Sequence, residues 1–510
     1  MGARVHTRKQ TLALSLTHTY THNTNSLTPS WSTYGRLFHL QVTGKGKHTD
    51  ASPGPKDEDA VSLKLYGHGV EQKVMKVAPR LTELKLRDVE QKDLSFLQSC
   101  PKLQKLDLTG CYDIGPLPSL PELTELKINL SNLPAIGSMP KLKTLKVSES
   151  ALTSIGEMPE LRNLDLWCHY LESLPPLPQL RKAIIRCMRL KTIRAMPKVE
   201  HLGLQACELL QTLPPLPEVK GLNLTCCSQL TSVGSLPKAE SLALENCKAL
   251  VSVGSLPKLQ HLDLTDCDSL EALPPLPELI GTVYFDKCRS LKSIGPMPKL
   301  ADVVKIWRCD ALESLPAMET LEYLQVKYCD SLTSIGSMHR LRTLEVENCK
   351  SLGTITSLPE LADLSVRGCP NLATISELPR LYEFIAGGCS RLEALPSLPA
   401  LFRLNIYEST NLHTLGFMPE LSFVDLSHCH KLTHLPILHK IITMDLDDIP
   451  NLRVIADLPR VKILQLKRMP SLERVIGTPA LEELGLCPAT KPAALPEGNY
   501  KVEEATVWSE

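Results

Sequence analysis

The sequence is poor in aromatic residues and has no excess of either charge. Phe, Trp and Tyr together make up 4% of the 510 residues, and 56 basic side chains balance 56 acidic ones. The low aromatic content disfavours a mixed globular core and favours an interior built largely from leucine. Because the formal charge is zero, no global field is available to hold nucleic acid or an anionic membrane surface. Any electrostatic role must be local.

Long apolar runs and catalytic motifs are also missing. No stretch of about 18 apolar residues occurs, so no transmembrane helix is expected. The sequence contains no G-x-x-x-x-G-K, G-x-G-x-x-G, H-E-x-x-H or G-x-S-x-G motif, the patterns of phosphate loops, dinucleotide sites, zinc proteases and serine hydrolases. The histidines are scattered without a recurrent partner. We therefore expect a protein that is not an enzyme and that uses no cofactor.

Cysteine is plentiful, but its spacing argues against both disulfides and zinc. Fourteen of the 17 cysteines, from Cys111 to Cys429, occupy one position of a sequence repeat. At such a position a thiol faces the interior and behaves as a small apolar group. No C-x-x-C pair is present, so no metal site is expected from these residues. Reduced cysteines favour a cytoplasmic protein.

The first 49 residues differ in composition from the rest of the chain. They contain no Asp or Glu and are rich in Thr, Ser, His and Asn. This composition is compatible with a targeting segment, which would make the protein organelle-targeted or secreted. The alternative is a disordered tail, or upstream sequence translated from a mis-assigned start.

The dominant feature is a repeat of about 20 residues. Units that open between Leu81 and Leu481 give 21 copies of the pattern L-x-x-L-x-L-x-x-C-x-x-L-x-x-L-P-x-L-P-x. In the unit that opens at Leu259, the alternation around Leu262 and Leu264 predicts a strand with one buried face. Each strand is followed by a return of nearly constant length, so successive strands should be parallel. Prolines in the returns exclude long helices there and favour extended, polyproline-like or 3₁₀ structure.

This strand pattern resembles that of leucine-rich repeat proteins across residues 81–486. The short units with L-P-x-L-P returns are similar to those of bacterial type III effectors and plant immune receptors. The resemblance implies an α/β solenoid that is mainly parallel β, a horseshoe or superhelix of about 21 coils with an extended, proline-rich convex side. The sheet would line the concave face. Cysteine stands where the family often has an asparagine ladder.

These features divide the chain into four segments. We expect a disordered or transit-like tail at residues 1–59, an N-terminal cap at 60–80, the solenoid at 81–486 and a C-terminal cap at 487–510. Open ends of a solenoid expose apolar faces, which caps must cover. In the C-terminal segment, Val502 and Val507-Trp508 could fold back over the last coil.

The first candidate site is a pair of lysines. Outward positions of the first strands carry charges of alternating sign, and only Lys127 and Lys146 are like neighbours in consecutive units. An acidic partner could relieve their repulsion. The alternative is a neutralised, solvated strip, because surface pairs usually contribute little.

The second candidate site is aromatic. Outward positions of three consecutive units combine Tyr and Trp with Lys and Arg, a composition typical of protein-binding hot spots. The residues are Tyr284, Trp307, Tyr323 and Tyr328, with Lys305, Arg308 and Lys327 among them. Two of these units are one residue longer than the others, so the alternative is that Tyr284 and Trp307 fill a local bulge.

A third cluster is acidic and lies near the C-terminal end. Asp425, Asp445, Asp447 and Asp448 fall on consecutive predicted strands. Gathered carboxylates can bind a cation such as calcium or a basic partner. A solvated acidic face is the alternative, and no metal is expected overall.

The sequence therefore predicts a non-enzymatic scaffold or receptor module, a monomer that binds a protein partner, and not nucleic acid, on its parallel sheet. Two alternatives stay open. One is a pathogen effector or surface protein that acts on a host target. The other is a substrate-recognition adaptor of a ubiquitin ligase. Because solenoids present interchangeable surface residues on a fixed frame, the sequence does not name the partner.

Overall fold

The computed structural model describes residues 61–89, 92–487, 490 and 500–504. The expected N-terminal tail and Val507-Trp508 lie outside this part of the chain.

Within the described residues, 23 strands form one sheet, the main sheet. Its strands are β1 Val61–Tyr66, β2 Leu81–Arg87, β3 Lys105–Thr109, β4 Glu125–Ser131, β5 Thr144–Ser150, β6 Asn163–Cys168, β7 Lys182–Cys187, β8 His201–Gln205, β9 Gly221–Thr225, β10 Ser241–Glu245, β11 His261–Thr265, β12 Thr282–Asp286, β13 Val303–Trp307, β14 Tyr323–Lys327, β15 Thr343–Glu347, β16 Asp363–Arg367, β17 Glu383–Gly387, β18 Arg403–Tyr407, β19 Phe423–Ser427, β20 Thr443–Asp447, β21 Ile463–Lys467, β22 Glu483–Leu486 and β23 Lys501–Glu504.

The strands are parallel and pair in register, coil on coil. Leu242 on β10 is opposite Leu262 on β11, and both side chains are buried. Since side chains alternate along a strand, the first, third and fifth residues of each five-residue strand face outward and form three columns along the sheet. The structure thus confirms the parallel solenoid predicted from the repeat.

The returns are extended, as their prolines require. Many contain a two-residue strand that pairs with the same segment of the next coil, as Ser232–Val233 does with Ser252–Val253. In the described residues these short strands are Ala135–Ile136, Ser154–Ile155, Ser173–Leu174, Thr192–Ile193, Ser232–Val233, Ser252–Val253, Ala272–Leu273, Ser293–Ile294, Thr354–Ile355, Thr374–Ile375, Val454–Ile455 and Arg474–Val475.

Helical structure is confined to the beginning of the described chain. The α-helix α1 spans Val70–Met75, and 3₁₀ turns span Ala78–Arg80 and Ser95–Ser99. Val70 and Val74 of α1 are buried, and β1 pairs with β2 ahead of the first full coil. Within the residues described, none of the helices has the length and hydrophobicity needed to cross a bilayer.

The repeat-position cysteines form a ladder inside the coils. Sixteen of the 17 cysteines are buried, and Cys226 alone is half-buried. Their thiols donate to carbonyl oxygens of the preceding coil, for example from Cys247 to Leu224 at 3.6 Å. Burial raises the pKa of Cys369 to about 11 and that of Cys389 to about 12. The interior placement predicted from the spacing is confirmed, and both thiols are protonated at neutral pH.

The residue directly after most main-sheet strands adopts a left-handed backbone conformation. We call this the corner position; Tyr328 has φ 57° there and His428 has φ 52°. The corner N–H donates to the next coil, as from His428 to the carbonyl of Asp447 at 3.0 Å. This conformation disfavours side chains with a branched Cβ. The corner therefore places a fourth column of side chains beside the outward face, which the strand alternation did not predict.

Candidate functional site

The predicted lysine pair lies in the middle outward column. Lys127 on β4 is flanked by Asp107 on β3 and Lys146 on β5. The Lys127 ammonium is 3.9 Å from a carboxylate oxygen of Asp107. Lys146 is exposed and forms no ion pair with any residue that the structure describes. The pair is therefore adjacent as predicted, and Lys146 is its unneutralised member.

Tyr284 and Lys305 occupy neighbouring positions of the same column. They pair directly between β12 and β13. The Lys305 ammonium lies 5.4 Å from the centre of the Tyr284 ring, which is within cation–π range. Tyr284 is 42% exposed. The extra residue of its unit is accommodated before the strand, where Gly281 has φ 78°, so Tyr284 itself stands in register.

Trp307 and Tyr323 are connected through the amide of Gln325. The Trp307 indole N–H donates to the Gln325 amide oxygen at 3.0 Å. The Gln325 amide nitrogen donates to a Glu345 carboxylate oxygen at 2.6 Å, and the Tyr323 hydroxyl donates to the other oxygen at 2.7 Å. Burial and the Glu345 carboxylate raise the pKa of Tyr323. These hydrogen bonds hold the side chains of Trp307 and Tyr323 in place.

The remaining members of the predicted aromatic site surround this network. Lys327 forms an ion pair with Glu347 at 2.7 Å, and the Tyr328 hydroxyl donates to the same carboxylate at 3.3 Å. Arg308 lies 3.6 Å from an Asp286 oxygen. Tyr328 is at a corner and is 44% exposed. The structure therefore brings all seven predicted residues together; the first aromatic cluster is Tyr284, Trp307, Tyr323 and Tyr328.

A second aromatic cluster lies farther along the main sheet and was missed by sequence reasoning. The rings of Tyr382 and Phe402 stack with centroids 5.0 Å apart and planes at 8°. Phe402 meets Phe423 edge to face at 5.2 Å, and the Arg403 guanidinium lies 5.2 Å from the centre of the Phe423 ring. The available signal was the 20-residue spacing between Tyr382 and Phe402.

Tyr407 lies at the other end of β18 from Phe402, where Gly387 leaves room for its ring. Gly387 and Tyr407 are the fifth residues of β17 and β18 and are directly opposite each other. A Cβ atom at position 387 would be 2.1 Å from Cζ of Tyr407, so the ring lies directly over the glycine backbone. The second aromatic cluster is therefore Tyr382, Phe402 and Phe423, and Tyr407 stands apart from it.

The predicted acidic cluster is largely paired with basic side chains. Asp445 lies 3.0 Å from the Lys467 ammonium, and Asp447 accepts two hydrogen bonds from Arg468, at 2.7 and 2.8 Å. Asp425 is opposite Asp445. Desolvation, followed by the Asp445 carboxylate, raises the pKa of Asp425. These three carboxylates do not form a set of free cation ligands.

Asp448 has different partners from the other three aspartates. One of its carboxylate oxygens lies 2.8 Å from Nδ1 of His428 and 2.9 Å from Nε2 of His430. Partial burial opposes ionisation, but the hydrogen bonds from His430 and His428 prevail and lower the pKa of Asp448. Sequence reasoning missed this cluster; the H-x-H spacing of the two histidines was the available signal.

The repeat length, the in-register parallel sheet and the buried leucine and cysteine ladders define a leucine-rich repeat solenoid. No family model matches the sequence, and no curated protein is significantly similar to it. Among solved structures, a leucine-rich cell surface protein from Faecalibacterium prausnitzii A2-165 is 15% identical with a TM-score of 0.26, and the match covers 57% of this chain and 87% of that chain.

Two further solved structures are similar at comparable sequence identity. TLR13, in complex with ssRNA13, is 14% identical with a TM-score of 0.26, and the match covers 85% of this chain and 87% of that chain. An internalin from Listeria monocytogenes is 12% identical with a TM-score of 0.13, and the match covers 70% of this chain and 92% of that chain.

Proposed function

We propose that this leucine-rich repeat solenoid is a non-enzymatic protein-binding module whose partner contacts the outward face of the main sheet from β12 to β19. The observation that carries the proposal is the first aromatic cluster. The polar atoms of Trp307, Tyr323 and Tyr328 are engaged by Gln325, Glu345 and Glu347, while Tyr284 and Tyr328 are each more than two-fifths exposed. A partner can therefore cover the rings without leaving those hydroxyl and N–H groups unpaired.

The fixed geometry of these rings favours binding. An aromatic side chain that is already held in place loses little conformational entropy when a partner covers it. Trp, Tyr and Arg are the residue types most enriched at interface positions that dominate affinity. Lys305 and Arg308 lie among the rings and would meet acidic or carbonyl groups of the partner.

The second aromatic cluster extends the same surface. From β14 to β17 there are three strand spacings, about 15 Å at about 4.8 Å each. A standard protein interface buries about 800 Å² on each partner, which is enough to cover both clusters. The intervening strands carry charges of both signs. Glu347 and Arg367, for example, are opposite each other as the fifth residues of β15 and β16. One protein partner can thus contact both clusters at once.

Affinity capture with aromatic variants tests the proposal. The full chain and the variants Trp307→Ala and Phe402→Ala are used as baits, and bound proteins are identified by mass spectrometry. Phe417→Ala is the matched control, because Phe417 is 59% exposed but lies on a return. We expect the same protein to be captured by the unmodified chain and by Phe417→Ala, and to be lost or depleted with both sheet variants.

The proposal fails if a reproducibly captured protein is retained equally by both sheet variants. It also fails if Phe417→Ala alone loses that protein, since the return side would then be the binding face. The identity of the bound protein separates the narrower roles. Ubiquitin ligase subunits would assign an adaptor, and a host protein would assign an effector.

A further inference from the structure

We propose that His428, His430 and Asp448 form a binding site for a divalent transition metal, with Zn²⁺ as the reference ion. The three potential ligand atoms are Nδ1 of His428, Nε2 of His430 and a carboxylate oxygen of Asp448, and all lie within 4.8 Å of one another. Imidazole nitrogen and carboxylate oxygen are the donors that suit zinc and its neighbours in the first row.

The ligand atoms already lie near the spacing that a metal ion imposes, and side-chain adjustments would complete the site. The two His–Asp separations are 2.8 and 2.9 Å. In a tetrahedral site with metal–ligand bonds near 2.0–2.1 Å, ligand atoms are about 3.3 Å apart. The carboxylate must therefore move away from each imidazole by about half an ångström, and the two histidine nitrogens, which lie within 4.8 Å of each other, must come to the same spacing of about 3.3 Å.

The backbone already holds the ligands at adjacent corners. His428 and Asp448 are the corner residues of successive coils, with φ 52° and 50°. Their N–H groups donate to the carbonyls of Asp447 and Lys467, each at 3.0 Å. The buried Cys429 fixes the segment between the histidines, and Asn451 donates to the carbonyl of His430 at 2.6 Å. The ligands are thus preorganised by hydrogen bonds that do not involve their own donor atoms.

Charge and access also fit a cation. The four neighbouring aspartates outnumber the two basic side chains, Lys467 and Arg468, that pair with them. His430 is 46% exposed, so the ion can enter and retain water at its remaining position. Zinc sites with three protein ligands keep a fourth, open position that water occupies.

Equivalent corners elsewhere show that histidine is not needed to stabilise this stack. At the corners of the coils that open at Leu259 and Leu279, Asp266 pairs with Lys287 at 3.3 Å. At Asp448 the partner is instead a pair of histidines, whose imidazole nitrogens can bind a metal. A metal ligand needs a free lone pair, which an imidazole nitrogen can offer and a lysine ammonium cannot.

Zinc titration of the full chain after chelator treatment tests the site. Calorimetry measures affinity and stoichiometry, and Co²⁺ absorption reports whether thiolates are ligands. The variants are His428→Asn, which tolerates the left-handed corner, His430→Asn and Asp448→Asn. Glu408→Gln, one corner earlier in the stack, and His434→Asn, an exposed histidine of the same coil, are the matched controls.

We expect one Zn²⁺ site whose affinity falls at least about tenfold in each ligand variant, since even outer-shell changes cost 10–100-fold, and is unchanged in both controls. Zn²⁺ should raise the unfolding temperature of the unmodified chain but not that of His428→Asn/His430→Asn. The proposal is overturned if the unmodified chain binds no Zn²⁺, if the double variant binds it with the same affinity and stoichiometry, or if Co²⁺ shows thiolate charge transfer that persists in the double variant.

Discussion

The indole N–H of Trp307 donates to the amide oxygen of Gln325 on the adjacent strand at 3.0 Å. This bond fixes the orientation of the Gln325 amide, whose nitrogen then donates to Glu345 at 2.6 Å. Gln325 is only 9% exposed and Trp307 is half-buried, so the bond orders Trp307 while part of its ring stays accessible. Trp307 thus has the properties of an interface anchor.

Truncating Trp307 to Ala should weaken partner binding by about 2 kcal/mol or more, the threshold for a hot spot. The loss corresponds to roughly 30-fold in Kd. The thermal unfolding profile should retain its shape, because the side chain is only half-buried and lies outside the leucine core. Calorimetric titration of the captured partner measures the effect, with Phe417→Ala as the control. An unchanged Kd would exclude the first aromatic cluster as the anchor.

Changing Lys127 and Lys146 to Glu should act mainly on the rate of association. Charges that steer an encounter raise the association rate and its sensitivity to salt, with less effect on dissociation. We expect a slower association with a weaker salt dependence, measured by surface plasmon resonance at several ionic strengths. Lys141→Glu is the control, because Lys141 pairs with Glu122 on the returns at 2.7 Å. A change confined to dissociation would contradict a steering role.

The periodicity of the sequence is what allowed side chains to be assigned to the interior or to the outward face. Strand alternation assigned Leu262 to the interior and Tyr284 to the outward face, and the structure agrees. A strict repeat also placed the cysteines, because each coil must return to the same stacking position. These assignments needed no knowledge of contacts between particular side chains.

The clusters that sequence reasoning missed are formed by residues at, or just beyond, the ends of the strands. Tyr382 and Phe402 come just before their strands, where inward and outward alternation no longer decides direction. His428 and Asp448 are brought together by the left-handed corner, a conformation that is uncommon for residues other than glycine. The pairing of the acidic cluster with Lys467 and Arg468 likewise requires the stacking of coils. None of these relationships follows from one unit read alone.

The native chain should contain one readily reactive thiol. Cys226 is half-buried, whereas the other sixteen cysteines are buried, and burial raises the pKa of Cys429 to about 12. Since the thiolate is the reactive form, a thiol reagent should label about one group per chain before denaturant is added. Cys226→Ser should abolish that fast phase. Rapid labelling of more than half of the cysteines would contradict the interior ladder.

Replacing Asp263 with Asn should slightly stabilise the chain at neutral pH. Desolvation raises the pKa of Asp263, so the folded state binds its proton more tightly than the unfolded state does, and ionisation costs stability. Asn223 and Thr225 already form the equivalent amide–hydroxyl pair at 3.0 Å. The gain should be up to about 0.5 kcal/mol, as for surface substitutions.

This gain should disappear as the pH falls below about 3.9, where Asp is protonated even when the chain is unfolded. Urea unfolding at a series of pH values measures it, with Asp165→Asn, in the same column on β6, as the control. A variant that is less stable than the unmodified chain at neutral pH would show that the Asp263 carboxylate is favourable.

Oxidative footprinting of the chain with and without its captured partner tests the central claim most directly, because hydroxyl radicals label exposed aromatic side chains. The proposal predicts protection of Tyr284 and Trp307 on the main sheet and of Tyr382 just before β17, with Phe417 on the return unchanged. Protection of Phe417 with undiminished labelling of the three sheet residues would place the partner on the returns and contradict the account.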